Sequence, residues 1–368
     1  MNNRRNDRGR LNFYKKSYYN SYASSARTKV ERRDRSLKVL IIVSILLIAV
    51  IAIMFFTNSG SFIPAFIQQT TNRNQSGNNP NTDIHPYATV PTRENYLAEG
   101  NGKGLGSLAL ASDYAVLVDL SSMDVIASKQ ADTTIYPASM TKIMTVLVAC
   151  DLISDLDDTY VITRSVLNQV PRGASTAWFS DYVGETVTVK DILFGVTYRS
   201  GADAVLCLLD YLNTPLDDFV ALMNEKAASL GLKNTHFGGV IGMDDENNQT
   251  TCREMAAIMA YAMDNPLCRQ LFGGQKHSLT YISELSYYHG TLNTTVVQVM
   301  GESPNSLVKG YTVLAAKSGF ETKAQHCLAS YIQNNETGEC FVLVTAYAEG
   351  DKTKPINDLS AIIKVFKP

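Results

Sequence analysis

The sequence predicts an α+β fold, a sheet assembled from segments far apart in the chain with helices between them, built into a body that begins near residue 106. Three observations predict it. The segment YAVLVDLSSMDVIASK alternates apolar stretches around Ser121 and Ser122, as a β-hairpin does. Late in the chain, HCLASYIQ and CFVLVTAYAE are strand-like runs separated by the turn NNETGE. Between these ends lie segments of helical periodicity, so one sheet must be closed by strands far apart in sequence.

At 368 residues the chain has room for two average domains, or for one large domain with appendages. Its charge is unevenly spread. Residues 1–38 hold 12 Lys and Arg against 3 acids, leaving 21 against 32 for the rest, so a basic tail precedes an acidic body. An acidic body has no electrostatic footprint for nucleic acid, and none is expected as a partner. From Val39 to Phe56 run 18 residues with Ser44 as the only polar one. At 1.5 Å per residue they reach about 27 Å, the thickness of a bilayer core, and they are expected to form one transmembrane helix. Arg32, Arg33, Arg35 and Lys38 crowd its N-terminal side, which keeps 1–38 in the cytoplasm as a disordered tail and places everything after Phe56 outside the cell. With no Ala-x-Ala site close behind the apolar run, a retained anchor is favoured over a cleaved signal peptide. Residues 57–105, centred on NRNQSGNNPNTD, are too polar to offset chain entropy and read as a flexible linker. The body is 106–368.

In the body, Pro137 punctuates the start of YPASMTKIMTVLVACDLI, whose almost wholly apolar run predicts a buried central helix. VGETVTVKDILFGVTYRSGADAVLCLLDYL reads as a strand or turn, then two helices broken near Ser200. DDFVALMNEKAASLGL is a helix ending at Gly231, and INDLSAIIKVF a final one. The six cysteines form no Cys-x-x-Cys pair, and Cys150 and Cys207 sit in apolar helical runs, so they read as buried free thiols rather than a disulfide framework. Five scattered histidines show no ligand spacing; neither a metal nor a cofactor is expected.

The chemistry is carried by three short motifs. Ser139-Met-Thr-Lys142 puts a hydroxyl and an amine on one helical face. A serine hydroxyl needs a base, and a lysine supplies one when burial disfavours its ammonium form. Ser-x-x-Lys alone is weak, since Ser306-Leu-Val-Lys309 matches it in a loop-like stretch. Two further motifs follow in order. Ser200-Gly-Ala-Asp203 offers a second hydroxyl to Lys142. Lys317-Ser318-Gly319 ends the apolar YTVLAA, where its amine and hydroxyl suit a substrate carboxylate and Gly319 admits a peptide backbone.

Together these resemble the signature of penicillin-binding proteins and class A β-lactamases, Ser-x-x-Lys with Ser-Asp-Asn and Lys-Thr-Gly. The chain most resembles the low-molecular-weight D-alanyl-D-alanine carboxypeptidases, serine peptidase family S11, over roughly residues 108–350. YPASMTKIMT, GETVTVKDIL, NTHFGGVIGMDDENNQTTCREMA and AAKSGF carry the likeness. It implies the transpeptidase fold of penicillin-binding proteins and β-lactamases, an antiparallel sheet flanked by helices with a helical subdomain. It also implies Ser139 as nucleophile, Lys142 as its base, Ser200 as a proton relay, and Lys317 with Ser318 as holders of the terminal carboxylate. The N–H groups of Ser139 and Phe320 would form the oxyanion hole. The implied partners are peptidoglycan stem peptides ending in D-Ala-D-Ala, β-lactams as covalent inhibitors, and the bilayer through the N-terminal helix.

Two departures stand out. Ala202 occupies the place of the family's usual Asn, and Ser318 that of its Thr. Ser76-Gly-Asn78 matches the second motif literally but precedes the nucleophile inside the linker, where it is accidental. The chain ends soon after the body, so the family's common C-terminal β domain and amphipathic anchor are not expected, and the N-terminal helix takes the anchor's place. Two other readings stay open: a wall-binding scaffold that has kept the fold and lost the chemistry, motivated by Ala202, and a class A-like β-lactamase, opposed by the lack of a Glu-x-x-x-Asn after Ser200.

Overall fold

A computed structural model describes residues 85–243, 245–273, 276–278, 291–293 and 307–368. The basic tail, the apolar run 39–56, Ser76-Gly-Asn78 and Ser306 lie outside the described residues. Among the described residues no helix is long and apolar enough to cross a membrane.

The chain begins with β1 (Lys103–Gly104), β2 (Ser112–Asp119) and β3 (Val125–Lys129), then a 3-10 turn, Ala138–Thr141, that leads into α1 (Lys142–Leu152). Next come β4 (Thr159–Val161), α2 (Arg164–Leu167), a second 3-10 turn at Phe179–Tyr182, β5 (Thr186–Thr188), α3 (Val189–Tyr198), α4 (Ala202–Tyr211) and α5 (Leu216–Ser229). They are followed by α6 (Cys252–Asp264), α7 (Pro266–Gly273), β6 (Lys276–Ser278) and β7 (Thr291–Asn293). The chain closes with β8 (Tyr311–Glu321), β9 (Gln325–Asn334), β10 (Cys340–Ala348) and α8 (Lys354–Phe366).

The main sheet has the order β1-β3-β2-β10-β9-β8. Its pairs are antiparallel except β1 with β3, so the expected antiparallel sheet carries one short parallel edge. The N-terminal hairpin lies beside the C-terminal one, as the split of strands between the chain's ends requires. β4–β5 and β6–β7 form two small antiparallel ribbons.

Both faces of the sheet are covered, which explains why its strands are apolar on both sides. On β2, Val116 and Val118 join the core shared with α1, α3 and α6, while Ala115 and Leu117 meet Ile356, Leu359, Ile362 and Ile363 of α8. β10 alternates in the same way, Val342 and Val344 on the first face, Phe341 and Leu343 on the second. Helix α1 is buried from Lys142 to Cys150. Each of its Ile, Val and Leu side chains adds about 1.5–3 kcal/mol by leaving water, so this helix is fixed in the middle of the molecule.

The stretch expected to be a free linker packs against the body in its described part. Tyr96, Ala98 and Leu105 are buried. Asn265 Nδ2 donates to Tyr87 O at 2.6 Å, and Arg253 Nη1 donates to Ala98 O and Gly100 O, both at 2.8 Å. The composition of 57–105 hid this because a few aromatic and aliphatic residues, gathered near its end, supply the burial. The described cysteines are free thiols, all buried except Cys340. Cys150 Sγ and Cys268 Sγ approach to 3.9 Å inside the core.

Candidate active site

The site forms where the 3-10 turn ahead of α1 meets β8, the last strand of the sheet. Ser139 lies in that turn and Lys142 opens the helix, so the three-residue spacing brings Lys142 Nζ to 3.1 Å from Ser139 Oγ. The turn is held tightly. Ala138 has φ 48, a left-handed conformation that costs a residue with a Cβ about 1–3 kcal/mol and persists only where its surroundings impose it.

Two close approaches impose it. A Cβ on Gly319 would stand 2.9 Å from Pro137 O, 3.0 Å from Ala138 Cβ and 3.1 Å from Ser139 N. A Cβ on Gly242, itself at φ +74, would stand 1.9 Å from Ala138 O. Gly319 was expected to make room for a substrate backbone. Its lack of a Cβ also lets the strand press against the nucleophile's own turn.

The loop around Gly242 also grips α1 through its backbone. Lys142 Nζ donates to Ile241 O at 2.7 Å, Thr145 Oγ1 donates to Val240 O at 2.8 Å, and Asn248 Nδ2 donates to Thr141 Oγ1 at 3.0 Å. Sequence reasoning missed Ile241, because a carbonyl that accepts from a lysine leaves no mark on residue type. The three glycines in NTHFGGVIGM are the only available signal.

Ser200 sits in the break between α3 and α4 with φ 57. Its Oγ accepts from Lys317 Nζ at 3.0 Å, so the hydroxyl expected against Lys142 is hydrogen-bonded to the other lysine. Lys317 Nζ also donates to Ser318 O at 2.7 Å. Asp203, the fourth residue of the same motif, is buried and accepts from the N–H groups of Ala177 (2.7 Å), Phe179 (3.0 Å) and Ala204 (2.9 Å). It ties the loop 173–179 to the start of α4, a role that Ser-Gly-Ala-Asp did not announce.

A cleft of about 540 Å³ is lined by Ser139, Lys142, Ser200, Ala202, Ser318, Gly319 and Phe320, together with Gly173–Thr176, Arg199, Glu321, His326 and Lys352 among others. All but one of the residues singled out from the sequence face this space. Lys317 is the exception: it is buried beside the cleft and reaches it through Ser200. Phe320 is 55% exposed and its ring rests on His326, centroids 4.5 Å apart. Among the described residues no group of three or more His, Cys, Asp or Glu could hold a metal ion.

Burial sets the electrostatics. It pushes the Lys142 amine down from 10.5 to about 7, against the opposing pull of Glu321 and Asp203. Lys317 is driven well below its ordinary value by burial and then by the positive charge of Lys142. Two buried amines that repel one another cannot both hold a proton cheaply, which favours the free base of one of them near neutral pH. A serine beside a buried amine at a helix start, with a second hydroxyl bonded to a second amine, is the arrangement that serine peptidases working through a serine–lysine pair require.

Comparisons with known proteins agree. The model of the D-alanyl-D-alanine carboxypeptidase family, peptidase family S11, matches residues 102–346, and the chain belongs to that family. It is 28% identical over 237 residues to D-alanyl-D-alanine carboxypeptidase DacF of Bacillus subtilis, covering 64% of this chain and 57% of that protein. It is 30% identical over 235 residues to DacA of Escherichia coli, covering 60% and 56%. The chain thus spans little more than half the length of these two relatives. The crystal structure of the Streptomyces K15 DD-transpeptidase shares the fold at a TM-score of 0.61 and 24% identity, covering 70% of this chain and 97% of that one. A D-alanyl-D-alanine carboxypeptidase of Mycobacterium tuberculosis does so at 0.57 and 21%, covering 77% and 95%.

Proposed function

We propose that this protein removes the terminal D-alanine from peptidoglycan stem peptides through an acyl-enzyme, and that β-lactams trap that intermediate. The observation that carries this reading is the 3.1 Å approach of Ser139 Oγ to a buried amine that is half neutral near pH 7. Lys142 Nζ takes the Ser139 proton as Oγ attacks the carbonyl carbon between the two D-alanines. The negative charge on the carbonyl oxygen is received by the backbone N–H groups of Ser139, in the turn, and Phe320, next to the Gly319 that packs on that turn. Collapse breaks the C–N bond. The departing amine takes a proton from the Ser200 hydroxyl, which Lys317 reprotonates, and Lys317 in turn is recharged by the proton held on Lys142, so that free D-alanine leaves.

Water then attacks the ester, gives its proton to Lys142, and regenerates the Ser139 hydroxyl. Ser318 holds the terminal carboxylate from the strand wall, with Lys317 behind it. In the reading extended to the whole chain, 39–56 spans the membrane once, 1–38 stays in the cytoplasm, and the body acts on the wall outside. The composition of those segments supports that arrangement.

The test is direct. The full chain in detergent, incubated with a pentapeptide ending in D-Ala-D-Ala, should release D-alanine detectable by mass spectrometry. Fluorescent penicillin should label it covalently, and Ser139→Ala should lose both activities. A wild-type protein that bound peptidoglycan yet took no label would overturn the reading in favour of a scaffold.

A further inference from the structure

Arg199 closes α3 on the helical wall of the cleft, one residue before Ser200. Its guanidinium carbon lies 3.8 Å from the centroid of Trp178, the chain's single tryptophan. That arrangement is built. Trp178 has φ 65, and the residues on either side of it, Ala177 and Phe179, both donate their N–H groups to Asp203. The indole is thereby held against the guanidinium at cation–π distance, a contact that leaves a guanidinium's N–H edges for other partners.

Those edges have no protein partner. Among the described residues no hydrogen bond or ion pair engages Arg199, and its Nε is buried without an acceptor. Asp203, the nearest acid on the same wall, spends its oxygens on three backbone N–H groups. Burial already lowers the Arg199 pKa, so an unpaired charge is being kept at a cost. The acid that lines the cleft, Glu321, belongs to the opposite, strand wall, which also carries Ser318, Gly319 and Phe320.

We propose that Arg199 reads a second carboxylate of the substrate, carried by the side chain of the residue before the two D-alanines. This rests on the carboxypeptidase reading above and narrows its substrate class to stem peptides with an acidic group at that residue. On that reading the terminal carboxylate is held at the strand wall, and a side chain of the acyl-donating part turned to the opposite, helical wall meets a guanidinium suited to bind a carboxylate through two parallel N–H donors. Arg199 is a specificity residue and takes no part in bond breaking.

Two pentapeptides ending in D-Ala-D-Ala test this, one with diaminopimelate and one with lysine at the third position, so that they differ by a single carboxylate. With the full chain in detergent, kcat/KM for D-alanine release should favour the diaminopimelate peptide about tenfold, mainly through KM. Arg199→Met should bring the ratio close to one, and Arg199→Lys, which keeps the charge but not the fork, should leave part of it. In a Ser139→Ala background the diaminopimelate peptide should change Trp178 fluorescence at lower concentration than the lysine peptide. Equal kcat/KM for the two peptides in the wild type overturns the proposal while leaving the carboxypeptidase standing. A variant that lowers both peptides alike overturns it too, because the guanidinium then serves a group the peptides share. If neither peptide yields D-alanine, the carboxypeptidase reading falls and takes this inference with it.

Discussion

The rate at which Ser139 is acylated should rise with pH and level off just above neutrality. With Lys142 near 7, about a tenth of it is neutral at pH 6, about half at pH 7 and about nine-tenths at pH 8. An ordinary lysine would be neutral in only about 3 molecules in 10,000 at pH 7, and the difference corresponds to about 5 kcal/mol of preference for the free base. The assay is the second-order rate of labelling by fluorescent penicillin between pH 5.5 and 9.5. A roughly tenfold rise from pH 6 to 8 followed by a plateau is expected. A rate climbing with unit slope beyond pH 9 would show that burial does not set this amine, and a flat profile would remove it as the base.

The same shift has a stability signature of opposite use. Between about pH 7 and 10.5 the unfolded chain binds a proton that folded Lys142 refuses, so stability rises with pH across that window, and the cost is carried in full below it. Lys142→Met should therefore abolish labelling yet raise the melting temperature, most at pH 6 and least near pH 10. The gain is reduced by about 1–3 kcal/mol for the Ile241 carbonyl left without its donor.

Three further substitutions probe the geometry. Gly319→Ala puts a methyl 2.9 Å from Pro137 O, so it should cost about 1–3 kcal/mol and slow labelling at least tenfold by parting the strand from the nucleophile's turn; wild-type labelling would refute that contact. Gly242→Ala meets both backbone at 1.9 Å and a positive φ, and should lose more than about 3 kcal/mol in chemical denaturation, which an unchanged midpoint would contradict. Ser200→Ala removes the hydroxyl partner of Lys317 and should lower kcat for D-alanine release about 100-fold with little change in KM, whereas an effect confined to KM would reassign it to binding.

What could be read ahead of the structure was whatever follows from side-chain pattern. The hairpin of β2 and β3, the buried α1, the break at Ser200 and the closing strands each express a periodicity or a breaker, and each lies where the pattern puts it. What could not be read depends on backbone atoms or on which of two like groups is nearer. Nothing in the sequence distinguishes a Ser200 that faces Lys142 from one bonded to Lys317. The carbonyls of Val240 and Ile241 belong to residues whose side chains predict only burial. The docking of Tyr96 and Leu105 was concealed by the polar segment that precedes them, since an average over 57–105 dilutes a few residues that bury well.

Ala202 shows how the two kinds of knowledge combine. By pattern it is a defect, a methyl where the resemblance leads one to expect an amide touching both substrate and Lys142. In the structure Ala202 begins α4, is buried against the cleft, and donates its own N–H to Ser175 O at 2.8 Å, so the wall it belongs to is intact without the amide. Lys142 still contacts Ser139 and Ile241, and Lys317 still contacts Ser200. Each group to which the proposed mechanism gives a proton therefore keeps a partner within hydrogen-bond reach. On the proposed mechanism the missing amide withdraws a contact from bound peptide rather than a step from the chemistry. An unpaired guanidinium three residues earlier, facing the same space, is where this chain has the means to recover that contact in a different form.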